Sequence, residues 1–214
     1  MDDYSIYLIT HKHEHHERIQ KEIEPEKLHL FDGTGYDSFS RLINECTVSA
    51  PTETVIMMSY KVTPNIGHIK QTLELLDKGY AFVALYRFGF FGFRKELFRK
   101  IGFMDERYIQ GGFEDNDMYI RLEEANLAGY IVTEMPFSNS PSTWGDYTPG
   151  FMHFKKKWGV THPGPSEVTR LLEEEKYDYD LGPSKNIDFL SWDKSVITGH
   201  NPTKYKLRRG ENDR

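Results

Sequence analysis

What this chain has little of sets the first limits on it. It holds one cysteine, Cys46, so no disulfide can close within it, which fits a reducing compartment. No apolar run approaches the roughly 18 residues that a membrane span requires, and no basic-then-apolar leader opens the sequence. A cytoplasmic protein with no membrane span is therefore expected. Positive charge is in the minority: 27 Lys and Arg face 33 Asp and Glu, and the net charge of −6 disfavours nucleic acid as the main partner. Internal repeats are absent. What remains is 214 residues, 38% hydrophobic and 14% aromatic, enough for one α/β domain with a sizeable core and a small appendage.

The elements can be read in order. Residues 5–10 (SIYLIT) form a short strand, followed by a charged helix over about 14–23 that Pro25 stops. Residues 28–31 are a second strand ending in the turn signal Asp32-Gly33-Thr34-Gly35. A helix over about 36–48 leads to a third, buried strand at 54–59 (TVIMMS). Pro64 opens a helix to Leu76, Gly79 ends it, and 81–86 is a further strand. Strands alternating with helices imply a largely parallel sheet with ligand at its C-terminal edge. Beyond Gly159 the pattern loosens to a helix near 166–176 and a Tyr/Asp/Pro/Gly-rich, polar tail, an extension rather than a second domain.

The most informative stretch is 102–121, GFMDERYIQGGFEDNDMYIR. Gly111 and Gly112 deliver Glu114, Asp115 and Asp117 to the first turn of a helix, which continues through Met118, Leu122 and Ala125 on a core-facing stripe. Acids in a first turn complement the helix dipole and cap free N–H groups, but three of them exceed what capping needs. A carboxylate at such a turn is well placed to take a proton from a bound hydroxyl. Asp115-Asn116-Asp117 is also a literal D-x-D. Side chains at i and i+2 of a helix do not face each other, so it is a poor chelate.

Residues 88–122, FGFFGFRKELFRKIGFMDERYIQGGFEDNDMYIRL, resemble the acceptor half of a GT-A glycosyltransferase, especially family 2 and the β-1,4-galactosyltransferases. Residues 151–159 (FMHFKKKWG) are more weakly similar to the segment that closes many family 2 domains. The resemblance implies an α/β GT-A, Rossmann-like fold, a mixed and mostly parallel sheet flanked by helices. Residues 1–160 would be that domain, with 1–87 as nucleotide-binding half and 88–160 as acceptor half. Residues 161–214 would be a helical or irregular extension packed on it or trailing from it. It further implies an inverting transfer of a sugar from a nucleotide diphosphate, most readily a UDP-sugar, to a glycan hydroxyl. Asp115 would be the general base, and Glu114 would hold the acceptor hydroxyl beside Gly112.

On the donor side, Thr10 and His11 occupy the loop that lines the nucleotide in such enzymes, and Asp32 stands where an Asp reads the base. Asp32 could accept the uracil N3–H, or simply close an Asx-turn before Gly33. The third strand, where the resemblance places a metal-binding D-x-D, ends instead in Ser59-Tyr60-Lys61, and the usual later histidine is missing from 137–143. Without hard oxygen ligands, tight Mg²⁺ or Mn²⁺ binding should be lost. Lys61 would then supply a fixed positive charge opposite the diphosphate, unless it points to solvent. No cofactor is required on this reading. Mn²⁺ or Mg²⁺ stays open, with Asp117 and Asp146 as weak helpers. Gly89 and Gly92 would admit the donor sugar to the strand backbone or relieve packing among Phe88, Phe90, Phe91 and Phe93. Trp144 and Tyr147 would stack on an acceptor sugar or anchor their loop. Lys155-Lys156-Lys157 reads equally as a solvated helix face and as a phosphate or acceptor contact.

Two other readings compete. Thr10-His11-Lys12-His13-Glu14-His15-His16 after a strand resembles the metallo-β-lactamase signature, and neutral imidazoles there would suit zinc. Against it, His15 stands where that signature has an aspartate, and only ten residues precede its first histidine. The second is a catalytically silent GT-A-like domain that binds glycans or nucleotides, favoured by the missing D-x-D and opposed by the intact Gly-Gly-Phe-Glu-Asp. The partners expected are a nucleotide-sugar donor and a glycan acceptor. The oligomeric state is not legible.

Overall fold

The computed structural model describes residues 3–9, 19–21, 23–33, 36, 38–109, 112–132 and 148–158. Strand β1 (Tyr4–Ile9) is followed by a 3-10 turn (Pro25–Lys27), β2 (Leu28–Phe31) and helix α1 (Phe39–Ser49). Then come β3 (Thr54–Ser59), α2 (Ile66–Asp77), β4 (Phe82–Tyr86), β5 (Phe90–Arg94) and α3 (Glu96–Ile101). Helix α4 (Glu114–Glu124), β6 (Gly129–Ile131) and α5 (Thr148–Trp158) complete the described elements. The six strands form one sheet in the order β2-β1-β3-β5-β4-β6. Pairing is parallel except along β5, which runs antiparallel to both β3 and β4. The mixed, mostly parallel α/β sheet expected from the sequence is therefore present.

Helices on both faces explain why β1 and β3 read as nearly continuous apolar runs. One face packs Tyr7, Val55, Met57, Phe91 and Phe93 against α1, α3 and α4 through residues such as Ile43, Phe98, Met118 and Leu122. The other packs Ile6, Leu8, Ile56, Met58 and Phe90 against Ile69, Leu73 and Leu76 of α2 and against Ile19 and Ile23. Local chemistry sets the helix starts. Ser38 caps α1 by accepting the Arg41 N–H, and Asn65 caps α2 in a reciprocal box with His68 at 3.1 and 3.0 Å. Pro64 thus lies just outside α2 rather than opening it. At the other end Gly79, at φ +98°, donates its N–H to Leu76 O as expected of a C-terminal glycine.

Register fixes the edge that matters. Ile9 lies opposite both Phe31 and Ser59, so β1, β2 and β3 end together. Phe90 pairs with Met58, so antiparallel β5 begins at that same edge, immediately after the turn leaving β4. β6 was not foreseen. Three residues are too few for an alternating pattern to show.

Candidate active site

The edge where β3 ends is tied to the β4–β5 turn. The Ser59 N–H donates to Gly89 O at 2.8 Å, and the Lys61 N–H donates to Ser59 Oγ at 3.2 Å. Gly89 N–H closes the turn on Tyr86 O at 2.7 Å, with Arg87 held at φ +39°. A Cβ at Gly89 would stand 2.8 Å from the Tyr86 ring, so glycine is needed for this tight approach. Lys61 is partly buried, and desolvation lowers its pKa. Asp32, exposed, follows β2 on the same edge. Asp32, Ser59, Lys61 and Gly89 are thus brought to one rim of the sheet.

Gly92 is not on that rim. It lies inside the sheet opposite Ile56 and Val83, and a Cβ there would fall 2.6 Å from Thr72 Cγ2 of α2. Its missing side chain lets α2 close on the sheet, which corrects the donor-contact reading in favour of packing.

The acid-bearing turn is built from backbone strain. Gly112 and Phe113 have φ +93° and +70°, and Phe113 offers no side-chain cap to the helix that follows. A left-handed phenylalanine costs roughly 1–2 kcal/mol, and packing holds it: its ring lies 5.1 Å from that of Phe151 and 5.6 Å from that of Phe154 on α5. The turn ends in Glu114 and Asp115 at the start of α4. Asp115 is partly exposed and accepts the Asn116 N–H at 2.9 Å. Glu114 is buried, and its Oε2 has no hydrogen-bond partner. Desolvation first, and the neighbouring Asp115 charge second, push its pKa up to about 8.

That shift has a consequence for stability. Between the ordinary carboxyl value near 4.5 and about 8, the unfolded chain gives up the Glu114 proton while the folded chain keeps it. Stability from this group therefore falls as pH rises through that window. Glu114→Gln mimics the neutral acid and cannot ionise. It is expected to melt with wild type at pH 5 and above wild type at pH 8. Thermal scans showing the mutant equally destabilised at both values would mean that Glu114 is charged and paired.

The other half of the motif turns inward. Asp117 is fully buried and receives Arg121 Nε on Oδ2 at 2.9 Å. Its Oδ1 receives Trp158 Nε1 at 2.8 Å, Lys157 Nζ at 2.5 Å and the Tyr108 hydroxyl at 3.2 Å. Lys157 Nζ also reaches Asp105 Oδ2 at 3.1 Å, where Arg107 binds both carboxylate oxygens and His153 Nε2 lies at 2.8 Å. Although burial opposes ionisation, the cations around Asp105 hold its carboxyl well below the usual range. Arg121 Nη1 in turn donates to the carbonyls of Ile101, Gly102 and Phe103, closing the C-terminus of α3. With both its oxygens engaged by cations and N–H or O–H donors, Asp117 is an anchor between α4 and α5. Among the described residues no group of three or more His, Cys, Asp or Glu could hold a metal ion.

Lys155 and Lys157 are buried, so the Lys155–Lys157 run is not a solvated patch, and only Lys156 is exposed. Thr10, His11 and the remaining His13–His16 segment lie outside the described residues, as do Trp144, Asp146, Tyr147 and the 161–214 extension. Sequence reading missed Asp105 and Tyr119, and took Lys157 only as one of a run of three lysines. Tyr119 had a usable signal: it stands four residues after Asp115, on the same helix face.

Residues 68–148 match the family model described as the N-terminal domain of galactosyltransferase. Among solved structures, the chain is similar to a Drosophila β-1,4-galactosyltransferase 7 mutant in complex with manganese, UDP-Gal and xylobiose. There the identity is 14%, the TM-score 0.43, and the match covers 84% of this chain and 82% of that one. A second similar structure is the catalytic domain of Drosophila β-1,4-galactosyltransferase 7 with xylobiose, at 13% identity and TM-score 0.43, covering 85% and 83%. No curated protein matches the chain at a significant level. Among the described residues no helix is long and apolar enough to cross a membrane.

Proposed function

We propose that this glycosyltransferase-like domain transfers a sugar from a UDP-sugar to a glycan hydroxyl, with inversion, using Asp115 as base. The observation that carries this reading is the strained turn that presents the Glu114–Asp115 pair, inside the galactosyltransferase-type segment. The helix that follows that turn packs on the β4–β5 turn, which borders the rim of Ser59, Lys61 and Gly89. Helix α4 is held there by Phe88 of the β4–β5 turn, whose ring packs 6.2 Å from that of Tyr119.

The chemistry then divides among residues. Asp115 takes the proton of the acceptor hydroxyl as its oxygen attacks the anomeric carbon. The bond from that carbon to the diphosphate breaks on the opposite face, and the electron pair leaves with the phosphate. Glu114, neutral below about pH 8, both accepts and donates hydrogen bonds and orients a sugar hydroxyl. Asp32 reads the uracil, and Lys61 faces the charge that develops on the leaving group. Radiolabel transfer from a panel of UDP-sugars to glycans tests the reading, and a wild-type protein that binds UDP-sugars without transferring them would make it a silent binding domain.

Metal dependence is a separate expectation. With Lys61 serving the diphosphate, transfer should survive EDTA and weaken as ionic strength rises. Lys61→Ala should lower affinity for UDP by roughly 1–3 kcal/mol and leave uridine affinity unchanged, since only the phosphates lose a charge-assisted bond. Calorimetry on the two ligands checks this. A strict requirement for Mn²⁺ would assign the phosphate charge to an ion held largely by the nucleotide itself.

A further inference from the structure

The site holds two orphaned polar atoms, and one belongs to a residue without a role so far. Tyr119 Oη is buried and has no hydrogen-bond partner, as is true of Glu114 Oε2. A buried hydroxyl left unmade is unfavourable and is retained where something absent from the free protein completes it. The Tyr119 ring meets those of Phe88 and Phe82 edge-on at 6.2 and 6.3 Å, which fixes where the hydroxyl points. Tyr119 stands one helical turn beyond Asp115. Its phenol is kept protonated by burial and then by the charge of Asp115, while Arg87 on the β4–β5 turn acts oppositely and Glu114 adds to the rise. Both acids and the turn therefore lie within electrostatic reach of this one hydroxyl.

We infer that Tyr119 is a specificity-determining contact, its hydroxyl and the Glu114 carboxyl together holding hydroxyl groups of one sugar ring. The chemistry of the pair selects that ligand. A protonated phenol and a neutral carboxylic acid each donate one hydrogen bond and accept others, the complement of neighbouring alcohols on a polyol. A phosphate would leave the buried carboxyl without a donor to accept from, and an apolar group would leave both atoms unmade. The inference rests on the transferase reading above, and it applies whether the ring belongs to the donor or to the acceptor.

Tyr119→Phe keeps the ring packing and removes only the oxygen. Three ligand classes are compared by calorimetry and saturation-transfer NMR in wild type and mutant: UDP, UDP-sugars and methyl glycosides. The mutant should lose about tenfold in affinity for the sugar-bearing ligand that wild type prefers, the loss of one desolvated hydrogen bond. Its affinity for UDP should stay the same and its melting temperature should hold or rise. A smaller gap between UDP-sugar and UDP places the ring in the donor, and weaker methyl glycoside binding places it in the acceptor. Either result supports the inference. Unchanged sugar affinities in every arm would overturn it, as would a fall of several degrees in melting temperature, which would reveal a structural partner for the hydroxyl. If wild type binds neither UDP nor UDP-sugar, the transferase reading fails and the methyl glycoside arm alone decides. Wild type that binds no sugar-bearing ligand overturns both.

Discussion

Asp115→Asn is expected to lower sugar transfer about 10²–10⁴-fold while the fold and the affinity for UDP persist. The amide keeps the shape of the carboxylate, and its carbonyl can still accept the Asn116 N–H that Asp115 accepts at 2.9 Å. What it lacks is basicity. The neighbouring acid is a poor substitute at neutral pH, because burial, the larger cause of its raised pKa, persists when the Asp115 charge is gone. As pH rises Glu114 ionises, so the residual activity of the mutant should climb with pH more steeply than that of wild type. Initial rates from pH 6 to 9, with UDP affinity measured in parallel, decide the matter. Turnover within a few-fold of wild type at pH 7 would remove Asp115 from the mechanism.

Lys157→Ala should unfold much of what Asp115→Asn leaves alone. The ammonium sits between two fully buried carboxylates, 2.5 Å from Asp117 and 3.1 Å from Asp105. Removing it strands buried negative charge, a loss of about 3–5 kcal/mol where one partner of a buried pair is deleted. Denaturant melts should show that drop in full. Neutralising Asp105 as well, as in Lys157→Met with Asp105→Asn, should recover much of it, because Asp117 keeps Arg121 as its counter-ion and the half-exposed Arg107 can be solvated. A single mutant with wild-type stability would mean that water already reaches this cluster.

The two substitutions show what the sequence could and could not say about the motif. Its outward half was legible: glycines followed by Glu114 and Asp115 mark a turn and a positioned acid by local chemistry alone. Asp117 and Arg121 were legible only as charges on a helix. Their partners, Tyr108, Lys157 and Trp158, lie up to 41 residues away and meet them only through packing. Lys157 was further disguised by standing in a run of three lysines, a pattern that ordinarily marks solvated surface. The strands at 28–31 and 54–59 were read to the residue, since apolar runs bounded by turns carry their own limits. The interior place of Gly92 was not, because closeness to Thr72 depends on where α2 docks.

The left-handed Phe113 has a practical consequence for anyone shortening this chain. Its backbone is held against its own preference by Phe151 and Phe154, both of which follow residue 148, where the family match stops. A fragment cut at that boundary would keep every acid of the motif and lose the wedge that aims them. Phe113 would then relax toward a right-handed or extended backbone, and Asp115 would swing off its bearing with no residue of the site itself altered. The smallest piece worth purifying therefore runs at least through Trp158, whose indole closes the same seam on Asp117.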